Sequence, residues 1–159
     1  MIMEQASKMD LESIFQMYRE ATESEFCVWN EFYPGEEELQ MDFTTGNLYV
    51  LRDGAEIFGA ISIVPENELD ESEGWKVTDA SVREIARVVI AKKHQGKGLA
   101  YQMVEFVTQL LKDDGCKAVH LSVVDKNVPA FKTYKKLGFE VVGEEEMYGG
   151  HYFLCEKVL

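Results

Sequence analysis

A chain of 159 residues with 46% hydrophobic content is large enough to bury a core of ordinary domain size without disulfide or metal staples, so a single domain over 1–159 is expected. Its formal net charge of −13 argues against a nucleic-acid partner, because a phosphate backbone repels an acidic surface. No apolar run approaches the ~20 residues that span a bilayer, and the N-terminus has no basic region leading an apolar stretch. The three cysteines, Cys27, Cys116 and Cys155, are widely spaced with no CxxC pair, so a reducing, cytoplasmic setting with no membrane partner and no metal site is expected.

Ser7 and Asp10 have the spacing of a capping box, and Leu11, Ile14, Phe15 and Tyr18 recur behind them at helical spacing, which predicts a helix over 8–22. Pro34-Gly35-Glu36-Glu37-Glu38 puts proline and acidic residues where a helix start favours them, and a second short helix runs from there toward Gly46. Leu48–Arg52 and Ala55–Val64 flank Asp53-Gly54, a strong two-residue turn signal, and predict an antiparallel hairpin. The stretch from Pro65 to Asp79 is acidic and turn-rich and reads as a long loop or lid. Ser81–Ile90 is the next strand.

The pattern then changes. Lys92-Lys93-His94-Gln95-Gly96-Lys97-Gly98 is a polar, glycine-containing turn, after which Leu99, Met103, Phe106, Val107, Leu110 and Leu111 mark one apolar helical face that ends at Gly115. Ala118–Val124 reads as a strand. Asn127 with Pro129 opens a helix through Leu137 that Gly138 stops, and Phe139–Val142 and Tyr152–Val158 read as the last two strands.

The glycine turn carries the strongest chemical signal. A helix N-terminus offers unpaired N–H groups and the positive end of the helix dipole, so it binds phosphate where side chains do not block the approach. Gly96, Gly98 and Ala100 remove that obstruction, and Lys92, Lys93 and Lys97 surround it with positive charge. The charge distribution agrees. Residues 1–80 hold 4 Lys/Arg and 19 Asp/Glu, whereas residues 81–159 hold 12 and 10, so a locally basic zone suited to a polyanionic small ligand sits on an acidic chain. A P-loop is excluded because GxxxxGK[ST] is absent. A dinucleotide fingerprint is excluded because Tyr101 stands where its third glycine would be.

Gln95-Gly96-Lys97-Gly98-Leu99-Ala100 resembles the Q/R-x-x-G-x-G/A pyrophosphate loop of the GNAT superfamily of N-acetyltransferases, matching every specified position. Asn127-x-x-Ala130-x-x-x-Tyr134-x-x-x-Gly138-Phe139 resembles the family's second signature, at the expected distance after the first. Val88-Val89-Ile90 resembles its central strand, whose exposed backbone pairs with the pantetheine arm, although Lys92 replaces a frequent proline. The order of elements follows the family's, with the N-terminal third matching in pattern alone. The resemblance implies an α/β GNAT fold, with one mixed and mostly antiparallel central sheet flanked by helices. It also implies transfer of acetyl from acetyl-CoA, the acyl-donor substrate, to an amine acceptor by direct attack.

Acetyl transfer from a thioester to an amine needs a neutral amine, a polarised carbonyl and a stabilised leaving thiolate. Glu84 lies 11 residues before Gln95, where several members of the family carry a strand carboxylate that takes the amine proton; the alternative is a structural glutamate paired with Arg83 or Arg87. Tyr134 matches the family's tyrosine that donates a proton to the departing sulfur, a phenol near pKa ~10 facing a thiol near ~8.5. Its alternative is a tyrosine packed on a helical face. The resemblance further implies that N–H groups around Val89 and Ile90 hold the thioester oxygen and that Asn127 bonds the pantetheine arm. Trp29, Phe32 and Tyr33 are expected to line the acceptor pocket, or else to belong to the core or to a homodimer contact. His120, within an apolar strand, reads as a satisfied structural histidine. A function from another class is a CoA-binding sensor or interaction module that keeps the fold without turnover.

Overall fold

The computed structural model describes residues 1–64, 74–79 and 81–159; most of the expected 65–79 loop lies outside the described residues. In chain order the elements are β1 (Ile2–Gln5), α1 (Leu11–Ala21), α2 (Glu36–Thr44), β2 (Leu48–Asp53), β3 (Glu56–Val64) and β4 (Val82–Ile90). There follow α3 (Leu99–Asp113), β5 (Ala118–Val124), α4 (Val128–Lys136), β6 (Glu140–Met147) and β7 (Gly150–Val158). The expected first helix begins instead as a 3-10 turn, Lys8–Asp10, whose box forms when Ser7 N donates to Asp10 Oδ2 at 2.8 Å. Asp10 also receives the guanidinium of Arg52 at 3.2 and 2.5 Å, which fastens the start of α1 to β2.

Among the described residues, seven strands form one mixed sheet in the order β1-β2-β3-β4-β5-β7-β6, antiparallel throughout except for the parallel β4–β5 pair. β1 is not anticipated by the sequence, since Ile2-Met3-Glu4-Gln5 has no alternation and forms a strand by pairing along the β2 edge. The final hairpin is longer than expected, because β6 and β7 run on to a tight turn at Tyr148-Gly149.

Helices cover both faces. On one, Met103, Val104, Val107 and Leu111 of α3 pack with Ile61, Ile63, Ile85, Val119, Leu121 and Val123 of the sheet, joined by Tyr134, Leu137 and Phe139. On the other, Ile14, Met17 and Tyr18 of α1 and Leu39 of α2 pack on Leu48, Val50, Ala60 and Val89. Gly59 permits the closest approach: a Cβ there would sit 2.7 Å from Met103 Sδ and 2.8 Å from the Val89 carbonyl oxygen, so only glycine lets β3, β4 and α3 meet. No described helix is long and apolar enough to cross a membrane.

Candidate active site

The parallel ladder between β4 and β5 pairs Val82 with Ala118, Arg83 with Val119 and Glu84 with His120, and goes no further. β4 then leaves β5, because it carries an extra residue against β3: Ala60 opposes Val89 while Ser62 opposes Ala86. Such a bulge bends its strand and strengthens the local twist. Within it Arg87 adopts φ +50, a dihedral that costs a non-glycine residue about 1–3 kcal/mol and persists only where its surroundings hold it. The surroundings here are specific. Arg87 Nε and Nη2 donate to Asp42 Oδ2 and Oδ1 at 2.8 and 2.7 Å, Nη1 donates to Tyr33 Oη at 3.0 Å, and Ser62 Oγ donates to Asp42 at 2.6 Å. The bidentate pair is the stronger kind of charge-assisted bond. The expected alternative of an Arg87 partner for Glu84 is therefore corrected, since Arg87 forks onto Asp42 of α2.

At the open end of the fork β4 runs into the glycine turn. Gly96 and Gly98 have φ +78 and +75, and a Cβ on either would meet no protein atom within 4 Å, so glycine is required by the backbone and leaves open space before the helix. The first bond of α3 runs from Gln102 N to the Gly98 oxygen, so the amides of Leu99, Ala100 and Tyr101 have no acceptor within the helix. Gln95 Nε2 donates to the Ile90 carbonyl at 3.3 Å and ties the turn to the end of β4. Lys92 pairs with Glu23 at 3.4 Å and Lys93 with Glu56 at 2.8 Å, while Lys97 Nζ lies 3.3 Å from His94 Nδ1. His94 stacks on Phe58 with centroids 3.7 Å apart and bonds Glu56, so it serves to brace the turn.

Glu84 and Tyr134 approach the fork from opposite faces. Ile85 belongs to the α3-side core, so alternation directs Glu84, 8% exposed, to the other face. Tyr134 of α4 packs in the α3-side core edge-on to Phe139, with centroids 6.0 Å apart. Burial, and after it the nearby Cys155, pushes its phenol well above the ordinary tyrosine value. That widens the gap to a thiol, and with it the cost of a complete proton transfer.

Asn127 caps α4, its Oδ1 accepting from Ala130 N at 3.2 Å, so a bond to a ligand would come from its side-chain nitrogen. The aromatic trio separates. Trp29 stands edge-on to Tyr18 in the α1-side core, Tyr33 bonds Arg87 beside β4, and Phe32 is 80% exposed. His120 Nε2 bonds Glu156 Oε2 at 2.7 Å. Asp42, Ser62, Trp75 and Glu156 escape a reading of the sequence, because their partners lie 20 to 80 positions away and no local pattern marks them.

Residues 11–139 match the profile of the acetyltransferase (GNAT) family. The chain belongs to that family. Among curated relatives of this GNAT protein, mycothiol acetyltransferase of Corynebacterium jeikeium is 38% identical over 77 residues, 47% of this chain and 22% of the relative. Spermine/spermidine N(1)-acetyltransferase of Bacillus subtilis is 30% identical over 93 residues, 58% of this chain and 57% of the relative. The chain thus spans well under two thirds of these relatives' own lengths. An acetyltransferase structure from Salmonella typhimurium with its cofactor acetyl-CoA superposes with TM-score 0.76 at 17% identity, covering 99% of this chain and 93% of that one, a likeness of fold. Acetyl-CoA is the acyl donor of the GNAT family.

Proposed function

We propose that this GNAT protein transfers the acetyl group of acetyl-CoA to a primary amine of a small molecule or peptide by direct attack, with no covalent enzyme intermediate. The observation that carries the reading is the fork: the β4–β5 ladder stops at Glu84 and His120, and β4 continues into a glycine turn whose helix has unpaired N-terminal amides. The residues present fit the donor. Open space before Gly96 and Gly98, the amides of Leu99 and Ala100 and the charge of Lys97 suit a pyrophosphate, and the unpaired edge of β4 over Val88, Val89 and Ile90 suits an amide-bearing arm. Asn127 adds a side-chain donor beside the fork's far strand.

Acetyl-CoA, when bound, supplies a thioester carbonyl open to attack. Glu84 takes a proton from the acceptor ammonium, leaving a neutral amine whose nitrogen forms the new C–N bond as the C–S bond breaks. Backbone N–H groups of Val89 and Ile90 stabilise charge on the carbonyl oxygen. Tyr134, held protonated by burial, donates a hydrogen bond to the departing sulfur and supplies its proton as the thiolate forms, and the proton that the nitrogen sheds on becoming a neutral amide restores the phenol. Because Glu84 and Tyr134 belong to opposite faces, acceptor and donor can meet in the fork without exchanging places. Tyr33 and Trp29, on the Glu84 face, line the acceptor side. The acidic surface favours a cationic acceptor such as a polyamine, the class named for the Bacillus subtilis relative.

The test is thiol release from acetyl-CoA with a panel of primary amines, spermidine and lysyl peptides included, and mass spectrometry of the products. Amine-dependent release with a matching acetylated product is expected. Tight acetyl-CoA binding with no release for any amine would replace this reading with that of a CoA-binding sensor.

A further inference from the structure

The register of the sheet places three ionisable residues in one transverse row. Glu84 of β4 is opposite His120 of β5, and His120 is opposite Glu156 of β7. Neighbouring strands are ~4.8 Å apart, and residues in register point to the same face. The three are 8%, 2% and 2% exposed. His120 Nε2 donates to Glu156 Oε2 at 2.7 Å, and the backbone amides of Lys76 and Val77 donate to the same carboxylate at 3.2 and 3.1 Å. Against this acceptor His120 carries a proton on Nε2.

A cover lies over the middle of this row. Trp75 lies flat on the His120 ring, with centroids 3.8 Å apart and planes 9° from parallel. Gly74 has φ +110, and a Cβ there would lie 2.2 Å from the Val142 oxygen, so glycine is what lets the segment lie on β6. Beneath such a cover the effective dielectric is low and charges on adjacent strands interact strongly. On the segment that carries Trp75, Lys76 Nζ is 3.0 Å from Glu140 of β6, and Asp79 is 3.9 Å from Lys117. Both pairs are exposed.

We propose that Glu84 and His120 titrate as a coupled pair, in which His120, oriented by Glu156, is a positioning residue that sets the protonation state of Glu84. An imidazolium at His120 favours the carboxylate form of Glu84, and the Glu84 carboxylate in turn favours the imidazolium. As pH falls and His120 gains its second proton, Glu84 is kept in the form able to accept a proton from an ammonium. The functional meaning rests on Glu84 being the base, whereas the coupling is a property of the protein alone.

NMR titration of the ligand-free protein, with labelled glutamate side-chain carboxyls and histidine rings, tests it. Glu84→Gln should lower the His120 midpoint by about 1 pH unit, and His120→Gln should raise the Glu84 midpoint by the same amount, since the linkage is reciprocal. Glu156→Gln retains both groups and provides a second test should His120→Gln fail to fold: the His120 midpoint should fall. Midpoints within about 0.2 units of wild type in Glu84→Gln and Glu156→Gln would overturn the proposal. The two readings can fail separately. Reciprocal shifts with unimpaired turnover in Glu84→Gln would remove Glu84 as base and leave the coupling, while lost turnover without shifts would do the reverse.

Discussion

Along β4, Val82–Glu84 are laddered to β5, with Glu84 also paired to Val64 of β3, whereas among the described residues Ile85, Ala86, Val89 and Ile90 are laddered to β3 alone. The β5-paired half ends in a buried polar row whose His120 lies against Trp75. The singly paired half contains the bulge, the left-handed Arg87 and the approach to the glycine turn. One strand thus provides two environments: a dry one where a carboxylate can be tuned, and an open edge where a ligand's backbone-like groups can pair. The transition between them depends on Arg87, whose anchor is on another element.

That dependence suggests the largest effect. Asp42→Ala leaves the Arg87 guanidinium buried without its bidentate partner and should lower stability by about 3–5 kcal/mol, read from urea unfolding. A loss under 1 kcal/mol would mean that the bulge holds its shape without α2. Gly98→Val puts a branched side chain into the space before α3 and should weaken acetyl-CoA binding by about 10²-fold, the loss of about two charge-assisted hydrogen bonds at ~1.5 kcal/mol each. Calorimetry gives the affinity and circular dichroism checks that the fold persists; unchanged affinity would remove the turn from the donor site.

Tyr134→Phe should lower kcat by about 10²-fold with little change in acetyl-CoA affinity, the low end of acid–base effects, because burial makes the phenol a weaker acid. Near-normal turnover would return Tyr134 to the packing it shares with Phe139. The smallest effect is a control away from β4. Burial pushes the Asp10 carboxyl upward, but bonds from Arg52 and Ser7 outweigh it and hold the group below its ordinary 3.8. A depressed folded value means that the stability it confers is present above the unfolded pKa and is lost as pH falls through the folded one. Asp10→Asn should therefore cost about 1 kcal/mol at neutral pH, the scale of a helix cap, and this deficit should shrink below pH ~4. An unchanged deficit at acid pH would assign it to packing.

Glycine spacing and apolar periodicity made the turn at Gly96 and Gly98, the helix behind it and the strand before it legible in the sequence, because each rests on residues within a few positions of one another. Glu84 was a candidate through the family resemblance, which implies a strand carboxylate at its distance from Gln95. Its neighbours were not, since His120 and Glu156 stand beside it only through strand register. β1 escaped for the same reason: its pairing comes from the β2 edge.

The amino-acid sequence by itself determined where the chain must turn, which faces are apolar and where a phosphate could meet a helix start. Those properties depend on local dihedral preference, side-chain period and the presence or absence of a Cβ. Only the tertiary structure decided that Arg87 serves Asp42, that Glu84 and Tyr134 stand on opposite faces of a forked sheet, and that His120 stands in register between two carboxylates. Each of these depends on distances between residues far apart in the chain, which strand register and a single extra residue in β4 bring into being.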